Sequence, residues 1–156
     1  MSEQLIKKEK YFILKRKMNR INEKIIEVEQ FLEELESCLP DDFIEYKQDF
    51  KIRAIGERYF EKIIEAIIDI AFLIIKEKNL KQPEYEKQVF DILFNNKIIS
   101  QELSLKLQDA KGMRNIIAHE YGKVDDELIF HSLTEELIID SYEFIKQIEK
   151  VIKKCL

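Results

Sequence analysis

The sequence predicts an all-α fold, and three observations point there. Only three glycines and two prolines stand among 156 residues, so turn material is scarce and the elements must be few and long. Apolar side chains recur at intervals of three and four residues through most of the chain, the repeat that places them on one face of a helix. Apolar residues make up 46% and charged residues 37%, a balance that suits amphipathic helices around a core and excludes a disordered chain. One domain spanning residues 1–156 is expected, without internal repeats or low-complexity tracts.

About five helices follow from the pattern, with ends uncertain by a few residues. Ser2 can cap the first, with Glu3 in its first turn. Its stripe runs Leu5, Tyr11, Phe12, Leu14, Met18, Ile21, Ile25, Val28, Phe31, Leu32 and Leu35 to about Glu36. The other side carries Lys7, Lys8, Lys10, Lys15, Arg16, Lys17 and Arg20; such a run is ordinarily a solvated face, and alternatively an electrostatic guide for a polyanion. Pro40 disfavours helical geometry at Leu39, and Asp41 or Asp42 can cap the next helix. That second helix runs from Phe43 through Lys78, with a bend near Lys47–Asp49. From Tyr59 to Ile75 it is apolar nearly all the way round, which marks a central helix or one shared with a second subunit. A homodimer is expected on that ground.

Glu65 and Asp69 interrupt this apolar run, four residues apart on one face. A buried carboxylate is costly unless paired. Either the two line a solvent-facing seam, or one of them pairs with Arg114 or His119; their apolar neighbours favour the second. Arg53, Glu57 and Arg58 form a charged turn earlier on the helix, from which Arg53 or Arg58 could reach a phosphate. A loop over 79–83 leads to a short helix from Tyr85 to about Phe94. Asn95-Asn96-Lys97 is a turn, and Ser100 caps a fourth helix with Leu103, Leu107, Ala110, Met113 and Ile117 as its buried stripe. After a short connection a final helix runs from near Asp126 to about Lys154, with Ile129, Leu133, Leu137, Ile138, Tyr142, Ile145, Ile148 and Ile152 inward. His131, early on that helix, is read as a surface or seam residue.

Net charge is −5. That argues against a wide nucleic-acid footprint but leaves room for a local cationic cleft. Cys38 and Cys155 have no metal or redox spacing, no signal-peptide pattern opens the chain, and the apolar runs are far too short to span a membrane. A reduced, cytoplasmic protein with no membrane partner is the expectation.

The stretch Gly112-Met113-Arg114-Asn115-Ile116-Ile117-Ala118-His119-Glu120-Tyr121-Gly122 gathers the chemistry. At about 100° per residue, with Arg114 at zero, Asn115 lies near 100°, His119 near 140° and Tyr121 near −20°. Ala118 falls inside that arc and leaves open space, while Met113, Ile116 and Ile117 fall opposite and can bury. Glu120 lands on the apolar side, which places the helix end there, and Gly122 is positioned to be a left-handed cap. On spacing alone, a structural cluster bonding neighbouring helices and a reactive site are both open.

Arg114-Asn115-Ile116-Ile117-Ala118-His119-Glu120-Tyr121 resembles the signature of the HEPN superfamily: an arginine, a polar residue, then a histidine four to six positions on. Together with the Val124-Asp125-Asp126-Glu127 connection it is similar to the HepT-type toxins of HEPN/MNT toxin–antitoxin pairs. Two flanking stretches resemble the family in the same order: Glu57-Arg58-Tyr59-Phe60 with Glu65 to Ala71, and Asn96 to Leu103. The resemblance covers roughly Tyr11 to Ile152. It implies an antiparallel helical bundle that dimerises with the two motifs facing each other, and RNA cleavage there without metal or other cofactor. It implies Arg114 and His119 as the catalytic pair, with Asn115 in support; Glu65 and Asp69 are expected to support them on the separate ground of their place in the apolar run. It implies Tyr121 as the residue to which a cognate MNT nucleotidyltransferase antitoxin transfers AMP.

Elementary chemistry agrees with these roles. RNA carries its own nucleophile, the 2′-hydroxyl. A histidine titrates near neutrality and can move the proton, and an arginine offers a charged fork to phosphoryl oxygens. One motif histidine per chain is few for proton transfer at both ends of the reaction, so two chains meeting at a cleft would supply what one lacks. A second expectation from a different class is a non-catalytic helical module that docks a nucleotidyltransferase, which the acidic net charge suits.

Overall fold

The computed structural model describes residues 2–120 and 124–155. It is all-α, with no strand among the described residues. The helices are α1 (Glu3–Cys38), α2 (Phe43–Gln48), α3 (Phe50–Glu77), α4 (Val89–Asn95), α5 (Gln101–His119), α6 (Asp126–His131) and α7 (Ile138–Cys155). A single 3₁₀ turn, Glu86–Gln88, leads into α4, and a π-helical segment, Ser132–Leu137, joins α6 to α7.

Local chemistry sets most of the boundaries. The Ser2 hydroxyl accepts from the Leu5 amide, and Pro40 follows the end of α1 at Leu39. The bend expected near Lys47–Asp49 is a true break: the Asp49 carboxylate accepts from the amides of Lys51 and Ile52 and restarts the chain as α3. Asp42 does the same for α2 and Asp125 for α6. At the far ends of α3 and α4 the chain turns through left-handed residues, Asn79 (φ 52°) and Lys97 (φ 60°). The next amides, Leu80 and Ile98, bond back to Ile75 and Leu93, closing the last turns without glycine. The final helix expected to be continuous is interrupted by the π segment, where the Thr134 hydroxyl bonds back to the Phe130 carbonyl.

At the centre lies α3. Ile63, Ile64, Ile67, Ile68, Ile70, Ala71, Ile74 and Ile75 are all buried on it, covered by α1 on one side and by α4, α5, α6 and the π segment on others. Most of its apolar surface is therefore covered within one chain, with Phe72 and Leu73 only partly so, and its periodicity alone does not require a second subunit. Gly56 marks a close crossing. A Cβ there would meet Leu133 Cδ1 at 2.9 Å and the Tyr46 ring at 3.2 Å, so only glycine lets α2 and the π segment approach this closely.

Three expectations about burial are corrected. Leu5, Tyr11 and Phe12 are half-exposed or more: Lys17 pairs at 3.6 Å with Glu77, the last residue of α3, Leu14 still packs against the core, and Leu5 and Phe12 lie on the opposite side of α1 from Leu14. Ile116 is 38% exposed, because α5 packs through Leu103, Leu107 and Ile117 and leaves Ile116 uncovered by the described residues. Tyr142 is 40% exposed, on the edge of α7 that faces the carboxylates of Glu29, Glu33 and Glu36 on α1. No helix among the described residues is long and apolar enough to cross a membrane.

Candidate active site

Helix α5 is fixed at its start. The Ser100 hydroxyl accepts from the Leu103 amide, and the Ser100 amide donates to Gln147 Oε1 on α7 at 2.8 Å. From this anchored end the helix runs along α3 and α4 and delivers the motif residues at its other end.

Arg114 turns inward. Its side chain is only 14% exposed and reaches across to two other elements. One terminal nitrogen lies 3.8 Å from Glu65 Oε1 on α3, and the other donates to Glu86 Oε1 on the 3₁₀ turn. Lys111, one turn earlier on α5, stands 3.9 Å from the same Glu86 oxygen. Glu86 thus bridges two cations, while Nε of Arg114 is buried with no hydrogen-bond partner among the described residues. The guanidinium is held in place by carboxylates that are themselves close to half exposed, at 43% for Glu86 and 49% for Glu65. Such a pair can exchange one oxyanion for another.

His119 is different. It is the last residue of α5, it is exposed, and its ring has no bond or ion pair among the described residues. The next amide, Glu120, still closes the helix onto the Ile116 carbonyl at 2.9 Å, so the backbone carrying the imidazole is ordered helix. Asn115 sits between, half-buried, with no side-chain bond among the described residues. The polar arc expected from the wheel is too wide for one surface. Its Arg114 edge is in the molecule, and its His119 edge is outside.

Glu65 joins Arg114, as one of the two readings of that carboxylate holds. Asp69 does not. Its side chain is 56% exposed and lies 3.4 Å from Lys24 on α1, away from the motif. Arg53 bonds the Lys47 carbonyl and stands 3.8 Å from Asp126, tying α2, α3 and α6 together. Arg58 pairs with its neighbour Glu61 at 3.4 Å, and His131 with Glu136 at 3.4 Å; none of the three reaches Arg114. Tyr121 lies outside the described residues. Glu86 is the site residue that the sequence did not reveal: 28 positions separate it from Arg114, and no periodicity links them.

With this geometry in view, the description "Ribonuclease HepT-like" fits residues 28–151, most of the chain. The chain belongs to the HepT-like ribonuclease family. The mRNA nuclease HepT of Shewanella oneidensis is 31% identical over 96 residues, covering 62% of this HepT-like chain and 72% of that protein. The tRNA nuclease HepT of Aphanizomenon flos-aquae is 26% identical over 103 residues, 66% of this chain and 68% of that one. A tri-AMPylated Shewanella oneidensis HEPN toxin, solved in complex with MNT antitoxin, superposes with a TM-score of 0.78 at 28% identity, over 83% of this chain and 96% of that one.

Proposed function

We propose that this HepT-like chain is the ribonuclease toxin of a HEPN/MNT toxin–antitoxin pair, cutting RNA without a metal in the cleft of a homodimer. The observation that carries the reading is the contrast within one helix end: a guanidinium already gripping carboxylate oxygens at Glu65 and Glu86, and an imidazole open to solvent five residues on. Carboxylate and phosphate oxygens make the same kind of demand on an arginine fork. A phosphodiester entering at Glu86 would meet donors already in position.

The reaction then needs little more. The 2′-oxygen forms a bond to phosphorus, its proton passes to one His119, and charge on the phosphorane is balanced by Arg114. The bond to the 5′-oxygen breaks, and that oxygen takes a proton from the His119 of the second copy. The products are a 2′,3′-cyclic phosphate and a 5′-hydroxyl. A dimer suits the open side of α5, where Leu105, Asp109, Gly112, Ile116 and His119 recur at four- and three-residue steps. Leu105 and Ile116 are exposed, and among the described residues nothing lies within 4 Å of where a Gly112 Cβ would be, so a second helix can approach closely there.

Tyr121, two residues beyond His119, stands where the resemblance to the family puts the tyrosine that receives AMP, and the related Shewanella oneidensis toxin in its complex is tri-AMPylated. Added phosphate there would repel substrate from the guanidinium and so silence the site. Purified chain should cut single-stranded RNA in EDTA and leave cyclic phosphate ends. His119→Ala should lower the rate by about 10²–10⁴; equal cutting by the variant would overturn the reading. The saturation of Arg114 by two carboxylates favours one other reading, a non-catalytic module that docks the nucleotidyltransferase. Tight binding of that partner, with no RNA cut at any protein concentration, would select it.

A further inference from the structure

Between α1 and α3 lies a groove of about 310 Å³ lined by Arg20, Lys24, Asp69, Phe72, Leu73 and Lys76. A smaller hollow of about 50 Å³ continues it, sharing Arg20, Leu73 and Lys76 and adding Lys17 and Glu77. Three features make it more than a solvated seam. Lys24 is paired, at 3.1 Å to Glu27 and 3.4 Å to Asp69, but Arg20 and Lys76 are exposed and have no carboxylate partner among the described residues. The floor between these two cations is the ring of Phe72 and the side chain of Leu73, both only partly covered. And the groove shares a face with the site: positions 65, 69, 72 and 76 follow one another at the four- and three-residue steps of a single helix side. Glu65, at the head of that row, touches Arg114. From Glu65 to Lys76 is about 16 Å along the axis at 1.5 Å per residue.

Beyond Lys17 the uncovered part of α1 continues the same chemistry. Residues 2–20 carry seven lysines and arginines against two glutamates in a chain of net charge −5. Tyr11 and Phe12 stand 55% and 52% exposed among them. Lys7 pairs with Glu3 at 3.7 Å and Lys17 with Glu77, but Lys8, Lys10, Lys15, Arg16 and Arg20 have no carboxylate partner among the described residues; such cations beside open aromatic rings are what a flexible polyanion with flat bases requires. A lipid surface would need an apolar side free of charge; here Leu5, Ile6, Phe12 and Ile13 share an arc of about 120°, but Glu9, Arg16 and Arg20 fall inside that arc. All of α1 before Val28 precedes the span matched to the family.

We infer that this groove, with the free half of α1 beyond it, holds the backbone of single-stranded RNA and leads the strand to Arg114. The inference rests on the ribonuclease reading for its direction, but not for its test. Arg20→Gln/Lys76→Gln changes two exposed side chains that touch neither the motif nor the core. Binding is measured by fluorescence anisotropy with an unstructured RNA of about 12 nucleotides, within the span of known single-strand sites. Both the chain carrying His119→Ala and the same chain with the double substitution are titrated across salt concentrations. The double substitution should weaken binding about tenfold. It should also reduce the slope of log affinity against log salt by about 1.4, or about 0.7 for each lost phosphate contact. With His119 intact, it should raise KM for the long RNA about tenfold at unchanged kcat, and leave cleavage of a dinucleoside monophosphate unaltered. Unchanged affinity and salt slope would overturn the inference. So would a shift from dimer to monomer on making the double substitution, which would give the groove to a second copy. If RNA binds through Arg20 and Lys76 yet nothing is cut, the nuclease reading falls and the groove stands. If the dinucleotide is cut but the double substitution changes nothing, the reverse holds.

Discussion

Helices α3 and α5 lie side by side and use their surfaces in opposite ways. On α3 almost every direction is apolar and covered by the rest of the chain. On α5 one side is packed and the other is open, from Leu105 to His119. The difference separates the tasks. Stability is concentrated where every substitution is felt, and the candidate chemistry sits on a helix that can lose or change outer side chains without unfolding the bundle. Arg114 marks the border, since it is the motif residue that reaches from α5 back to α3.

That division can be broken from either side. The largest effect is expected from Ile67→Ala on α3, at a position with no exposed surface. It should cost about 2–5 kcal/mol in urea unfolding, the transfer loss plus an unfilled cavity, while leaving catalysis per folded molecule unchanged. Ile116→Glu on the open side of α5 should do the reverse. It should hardly move the monomer's unfolding, yet forfeit about 1.5–3 kcal/mol of contact where two copies meet. Light scattering should then report a monomer, and cleavage should fall with it. A stable, active dimer would place the interface elsewhere.

Smaller changes sharpen the border itself. Glu86→Gln removes one of the two carboxylates holding Arg114. The pair is near half exposed on the Glu86 side, so the effect is about 1 kcal/mol or less, up to roughly fivefold in kcat/KM. Cleavage should speed up if substrate competes with Glu86 for the guanidinium, and slow down if Glu86 only positions it. The smallest effect is expected at Asp140 on α7. Burial pushes its carboxyl above the ordinary carboxylate range, against the pull of Lys106 at 3.8 Å. The folded chain therefore holds this proton more tightly than the unfolded chain. The stability this gives is complete below the ordinary carboxylate range and is lost as pH rises through the raised folded value. Asp140→Asn should melt slightly higher than the parent at neutral pH, with the gap closing in acid.

What the sequence revealed and what it did not follow from the range of the forces involved. Caps at Ser2, Asp42 and Ser100 were legible because a capping side chain reaches only two or three residues. The core of α1 from Met18 to Leu35 was legible because one repeat fixes which side faces inward. Glu65 could be suspected because a carboxylate among isoleucines needs a partner. Glu86 could not, because its meeting with Arg114 depends on how a loop and a 3₁₀ turn lay the chain over α5. The exposure of Tyr11 was hidden for the same reason: it falls beside the core stripe, and the end of α3 at Glu77 leaves it uncovered. Leu5 and Phe12 lie across the helix from Leu14 and Ile21, so their exposure was legible in the spacing itself. The polar arc was read correctly in angle and incorrectly in surroundings, since a wheel orders side chains round an axis without saying where the neighbouring helices stand.

The uneven placement of charge has a practical consequence at the bench. With an isoelectric point near 5.3, the protein would be expected to pass through a cation-exchange column at neutral pH. The free end of α1 makes each molecule a rod with a basic tip on an acidic body, so retention should follow the tip and not the total. The chain should stick to sulfonated resin in weak buffer, and come off early in a salt gradient when the first sixteen residues are removed.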